Sequence, residues 1–252
     1  MRKNRLTYII LMLSTVLTLQ SCFTHRNIGY LQERDDLPQY GKAEYEDYRL
    51  QVNDAVIYRL ITMDETISKV MQSNTGGNMN TNNSVFYRIY PDSTIDIPFL
   101  SAVKIGGLTI REAQEEVQRR MREVVPDAEI RLDLYNKTFT VIGDMHSGAY
   151  PIYKEKLTIY QALALTGDVM QTGDRRHVRI IRPRTNEKPE ILEFDLRTNT
   201  IIDSKYYYIY PNDVIYVQRD KNSFFKVANY AAFTSLVTSS LSLLVSVLSY
   251  VK

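Results

Sequence analysis

Apolar positions along the middle of this chain fall into two rhythms, one of period two and one of period near 3.6, and they switch in the same order twice. In "VFYRIYPDSTIDIPFLSAVKI" they come in short runs broken at Pro91, Asp92 and Ser93, which predicts strands joined by turns. "GLTIREAQEEVQRRMREVVPD" takes up helical spacing, with Thr109 and Glu112 placed as a capping box and Pro126 as the stop. "AEIRLDLYNKTFTVIGD" returns to alternation, putting Ile130, Leu132 and Leu134 on one face. A second unit repeats the helix start in "KLTIYQALALTG", with Thr158 and Gln161 as the box and Gly167 at the C-terminal cap. Strands are then predicted at Val178 to Ile181, Ile191 to Phe194, Tyr206 to Tyr210 and Val214 to Val217. "LQVNDAVIY" and "IYPNDVIYV" share an Asn-Asp turn feeding an apolar strand, with Asn53 and Asn212 suited to a left-handed turn. Few strands with one helix per unit predict an α+β pair of small domains. The polar stretch 72–84 has no periodicity and reads as a mobile loop, and 23–48 reads as a charged tether.

The two ends follow a different pattern. Residues 1–22 begin with Arg2, Lys3 and Arg5, continue in an apolar run from Leu6 to Leu19, and end Leu19-Gln20-Ser21-Cys22: a secretory leader closing in the form of a bacterial lipobox. Cys22 is the one cysteine of the chain, and lipidation accounts for it better than an exported free thiol. More than one acyl chain there gives stable membrane attachment. At the other end, no charged residue occurs from Val227 to Val251, and a helix of that length reaches about 37 Å, enough to cross a bilayer. At 100° per residue Ser235, Ser239, Ser242, Ser246 and Ser249 fall in one narrow arc, Leu and Val fill the rest, and only Ser240 breaks the pattern. Such a stripe suits a pore-lining or helix-packing face; the alternative is a monomeric anchor whose serines bond back to their own helix.

Charge removes one class of function. The chain carries +2 in all, about −1 without the three basic residues of the leader, so no basic field marks a nucleic-acid binder. Nineteen tyrosines and no tryptophan favour a strand-rich body. Catalytic and metal-binding patterns are not visible: His25, His146 and His177 stand apart, and Gly106-Gly107 lacks the ending of a phosphate loop. Glu115 and Glu116 point about 100° apart on a helix, and no Gly-x-Ser-x-Gly elbow occurs. The expectation is no enzyme, no metal and no cofactor beyond the lipid on Cys22. Tyr206, Tyr207, Tyr208 and Tyr210 suit stacking against sugars, although strand propensity alone also explains such a cluster.

The ordered series "YRIYPDSTIDIPFLSAVKIGGLTIREAQEEVQRRM", "FTVIGDMHSGAYPI", "LTIYQALALTGD", "VRIIRP" and "YYYIYPNDVIYV" resembles the bacterial polysaccharide export lipoprotein family of the Wza type, over roughly Tyr45 to Val217. It departs from that pattern at Asn53 and Asn212, where Gly usually precedes Asp, at Ser147 in place of Pro, and at Asp168 in place of a second Gly. The resemblance implies a leader 1–21, a lipidated tether 22–44, an export domain 45–136, one β-grasp domain of the soluble-ligand-binding kind 137–220, and a C-terminal membrane helix 224–252. It implies a passive conduit: a homo-oligomeric ring in the outer membrane, body in the periplasm, through which capsular or exopolysaccharide leaves. An inner-membrane polysaccharide co-polymerase coupled to a tyrosine autokinase is the implied partner. Phe23 and Thr24 carry no acidic residue after the cysteine, which also points to the outer membrane. A monomeric periplasmic carbohydrate-binding lipoprotein and a glycan-processing enzyme stand as alternatives, the latter without a catalytic constellation.

Overall fold

A computed structural model describes residues 29–67, 86–184 and 187–221, and positions 235, 238–240, 242 and 246 of the tail. Two hydrophobic cores divide the described chain. Cys22, the stretch 72–84 and Ser249 lie outside the described residues.

The first unit contains β1 (Ala55–Ile61), β2 (Phe86–Arg88), β3 (Thr94–Ile97), β4 (Leu100–Lys104), α1 (Ile110–Met121) and β5 (Glu129–Leu134). β1 lies between β2 and β5, antiparallel to both, and β3 pairs with β4 as a hairpin. Helix α1 forms because Thr109 accepts from the Glu112 amide while the Glu112 carboxylate accepts from the Thr109 amide, satisfying two amides that the first turn leaves without helical partners. Its buried residues, Ala113, Val117 and Met121, recur every four positions and meet the inward face of β5, Ile130, Leu132 and Leu134. Glu115 and Glu116 sit outside this contact, paired with Arg111 and with Arg119 and Arg120 respectively.

The second unit contains β6 (Thr138–Gly143), β7 (Gly148–Pro151), β8 (Leu157–Thr158), α2 (Ile159–Leu165), β9 (Gly173–Arg182), β10 (Glu190–Phe194), a short 3-10 helix (Asn199–Asp203), β11 (Tyr208–Ile209) and β12 (Val214–Arg219). The main sheet runs β10-β9-β12-β6-β7, antiparallel except for the parallel pair β12–β6. Phe139, Val141, Ile159, Leu163, Ile180, Phe194 and Ile215 close its core. The Thr158–Gln161 box caps α2, and Gly167, just past the cap residue Thr166, takes φ 77°, the left-handed conformation a helix end needs.

The fold is α+β. The alternating stretch 128–144 is two strands in different sheets, broken near Asn136, whose Oδ1 accepts from the Ala55 amide. Continuous alternation does not reveal where a chain crosses from one core to the next, because both sheets bury alternate residues. Of Tyr206 to Tyr210, only Tyr208–Ile209 pairs as strand; Tyr207 instead closes a turn onto the Ser204 carbonyl. The predicted C-terminal membrane helix is not established: among the described residues no helix is long and apolar enough to cross a membrane. Within that tail Ser235, Thr238, Ser239, Ser240, Ser242 and Ser246 are helical and exposed.

Candidate functional site

The two Asn-Asp turns have one construction. Asn53 and Asn212 take φ 72° and 66°, a left-handed backbone that Asn tolerates better than most side chains. In each turn the following Asp folds back: Asp54 Oδ2 accepts from the Gln51 amide at 2.8 Å and Asp213 Oδ2 from the Tyr210 amide at 2.9 Å. The turns also meet. Asn212 Nδ2 donates to Asp54 Oδ1 at 2.9 Å and to the Tyr48 hydroxyl at 3.1 Å, while that hydroxyl donates to Asp54 Oδ2 at 2.8 Å. Gln51 Nε2 adds a bond to the Pro183 carbonyl at 3.2 Å. Asp213 is fully buried and held by Arg182 through Nε at 3.0 Å and Nη2 at 2.9 Å, with the guanidinium 4.2 Å from the Tyr210 ring centre. Burial, then the Asp54 charge, pushes the Tyr48 hydroxyl well above the ordinary tyrosine range. The joint between the units is therefore a closed polar network in which Asp213 is paired with Arg182 and Asp54 is met by neutral donors.

Alongside it lies the segment read from sequence as a tether. From Gly29 onward it is a strap docked on the second unit, and four tyrosines fix it. The Tyr30 hydroxyl donates to Asp168 and accepts from Arg175 Nε at 3.0 Å. The Gln32 amide donates to the Arg197 carbonyl at 2.6 Å. Tyr40 accepts from the Asp195 amide at 2.7 Å and sets its ring edge on Tyr206. Tyr45 stacks on Tyr210, meets Tyr208 edge-on, donates to the Glu155 carbonyl at 3.1 Å and lies under the Lys156 ammonium at 4.5 Å. Burial pushes the Tyr45 hydroxyl up to about 12. Tyr48, in the joint, is the fourth. The signal that would have shown the strap was present: Tyr30, Tyr40, Tyr45 and Tyr48 are large rings with polar tips, too costly to leave unpacked in a plain spacer.

The proposed sugar-contact tyrosines are brought together, and their rings are engaged. Tyr206 stacks on Phe194, Tyr207 meets Tyr160, and Tyr208 and Tyr210 hold Tyr45. All four are half-buried, so they serve the strap's seat first. His146 Nδ1 lies 2.9 Å from the Thr166 carbonyl and His177 Nδ1 2.9 Å from Asp174; they are in different contacts. Among the described residues no group of three His, Cys, Asp or Glu side chains is placed to hold a metal. The Thr238 hydroxyl donates to the Ser235 carbonyl at 3.1 Å, a back-bond of the kind an isolated helix makes. An open cleft of about 440 Å³ lies between Lys104, Leu108 and the Glu112–Arg119 face of α1. Its lining carries both signs of charge and converges on no single atom.

Comparison with known proteins bears on the first unit and the end of the strap: residues 42–134 match the family described as polysaccharide biosynthesis/export protein. Over that segment, which holds the hairpin, the capped helix and one Asn-Asp turn, the chain is similar to proteins of polysaccharide biosynthesis and export.

Proposed function

We propose that the protein is one subunit of an oligomeric outer-membrane channel through which capsular or exopolysaccharide passes from the periplasm to the cell surface. The observation that carries this reading is the family match over 42–134, in a chain whose leader ends at a lone Cys22 and whose tail is uncharged for 25 residues. Cys22 bears the lipid, the second unit is a β-grasp domain with a mixed sheet and one short helix, and the tail crosses the membrane with Ser235, Ser239, Ser242, Ser246 and Ser249 on its inner or packing face. Tyr206, Tyr207, Tyr208 and Tyr210 line the route only where their rings leave the strap. An inner-membrane co-polymerase with its tyrosine autokinase delivers the polymer, and the channel itself catalyses nothing.

Physical reasons favour this reading. A conduit for a hydrated polymer needs a rigid wall of fixed diameter, and the joint supplies rigidity by locking the Asn212 turn to the Asp54 turn. A ring also needs each subunit held upright, which a strap along one unit, leading back to a lipid, achieves. The test is particle imaging of full-length protein extracted in mild detergent. Closed rings are expected. Particles of single-chain size would overturn the channel and leave the monomeric carbohydrate-binding lipoprotein.

A further inference from the structure

Both described ends of the two-unit body leave the second unit at one edge. Arg175, nearly buried, donates from Nε to the Tyr30 hydroxyl at 3.0 Å and from Nη1 to the Met170 carbonyl at 3.3 Å, so the start of the strap and the loop after α2 share one guanidinium. That loop also receives the end of β12: Arg219 pairs with Gly173, and the Asp220 amide donates to the Thr172 carbonyl at 2.8 Å. Gly29 is seven positions after Cys22, a span of at most about 25 Å. The uncharged tail begins six positions after Lys221, at most about 22 Å away. Two membrane-directed segments therefore bring this edge within reach of one bilayer.

The edge carries apolar side chains with no place in either core. Leu31, Leu165 and Met170 are 46%, 40% and 41% exposed. Leu31 holds φ 52°, a left-handed backbone costing a branched residue about 1–2 kcal/mol, between the bonded hydroxyl of Tyr30 and the bonded amide of Gln32. Of the charges nearby, Asp168 is held by Tyr30 and Arg175, Asp174 by Arg176 and His177, and Asp220 by Arg176, while Arg219 and Lys221 at the end of β12 are exposed cations.

We propose that this edge lies against the lipid surface of the membrane that holds Cys22, with Leu31, Leu165 and Met170 in its headgroup layer. The proposal rests on the lipoprotein reading above. The contact is apolar at Leu31, Leu165 and Met170, and the exposed Arg219 and Lys221 add attraction to anionic headgroups without being required for it. It gives the second unit a fixed height and tilt against the bilayer, which two chain connections alone do not.

Full-length protein carrying Leu31→Cys, Leu165→Cys or Met170→Cys is reconstituted in phosphatidylcholine vesicles and labelled with an environment-sensitive fluorophore; a lipidated Cys22 leaves no competing thiol. Met63→Cys and Val124→Cys, exposed sites of the first unit, are the comparison. The expected result is loss of fluorescence to nitroxide-bearing lipid at 31, 165 and 170 and none at 63 and 124, already in vesicles without anionic lipid. Vesicle-bound protein with all five sites equally unquenched overturns the surface and leaves the lipoprotein reading standing. Protein that does not float with vesicles overturns both. Probes at 31, 165 and 170 that stay shielded from water in detergent, with crosslinks between chains, make the edge a subunit contact and overturn the lipid assignment.

Discussion

Asn212 performs two tasks that separate substitutions can divide. Its backbone holds φ 66°, and its side-chain amide joins Asp54 to the Tyr48 hydroxyl across the two units. Asn212→Gly keeps the turn and loses two bonds, one of them to a carboxylate, for an expected cost of about 1–3 kcal/mol. Asn212→Ala loses the bonds and also the tolerance of the left-handed region that asparagine has and alanine lacks, adding about 1 kcal/mol. Urea unfolding of the detergent-solubilised chain checks the order wild type, Gly, Ala. Two variants as stable as the native protein would show that the joint contributes nothing. The asparagine was visible in the sequence as a turn residue. Its reach to Asp54, 158 positions away, was not, because one chain segment contains no record of which distant turn will face it.

At the scale of elements, the parallel pair β6–β12 depends on Gly143. This glycine takes φ 99°, and a Cβ there would sit 2.1 Å from the Val217 carbonyl oxygen, which already accepts from the Asp144 amide at 2.8 Å. Neither partner is a flexible tip, so backbone has to move. Gly143→Ala is expected to cost at least about 3 kcal/mol or to prevent folding. Gly148→Ala on β7 meets the Tyr150 ring at 3.4 Å, an ordinary contact, and is expected to stay within about 1 kcal/mol. Soluble yield and thermal midpoint of the two variants side by side make the comparison, and equal behaviour would contradict the geometry. The capping boxes at Thr109 and Thr158 could be read directly, since a box is local and its partners lie three residues apart. Gly143 resembled any strand end, because its constraint comes from β12.

The whole molecule is held together partly by the strap's tyrosines, and their titration reports on it. Burial raises Tyr30, Tyr45 and Tyr48 above the ordinary tyrosine value of 10.0, Tyr45 to about 12. Below the unfolded value the phenol is neutral in both states and the docked strap keeps its full contribution. Above it the unfolded chain ionises first, so stability falls as pH rises from about 10 through about 12. Unfolding midpoints followed with tyrosinate absorbance should show a flat region up to about pH 10, then a fall in which a late set of tyrosines ionises together with unfolding. Reversible ionisation of every tyrosine near pH 10 without loss of structure would mean that the strap is not docked.

What the sequence determined was everything governed by near neighbours: the two capped helices, the inward face Ile130, Leu132 and Leu134, the left-handed asparagines, and the ordered blocks that carry the family resemblance. These depend on φ preferences, on spacing along a turn, and on side-chain period, all properties of a short window. Only the tertiary structure decided that the charged segment before Tyr48 is a strap, that the Asn212 turn faces Asp54, and that the start of the strap and the end of β12 both meet the loop after α2. Each of those outcomes pairs residues far apart in the chain. Their pairing is set by which buried polar groups can satisfy one another once two cores have formed, and that competition leaves no periodic mark on the sequence.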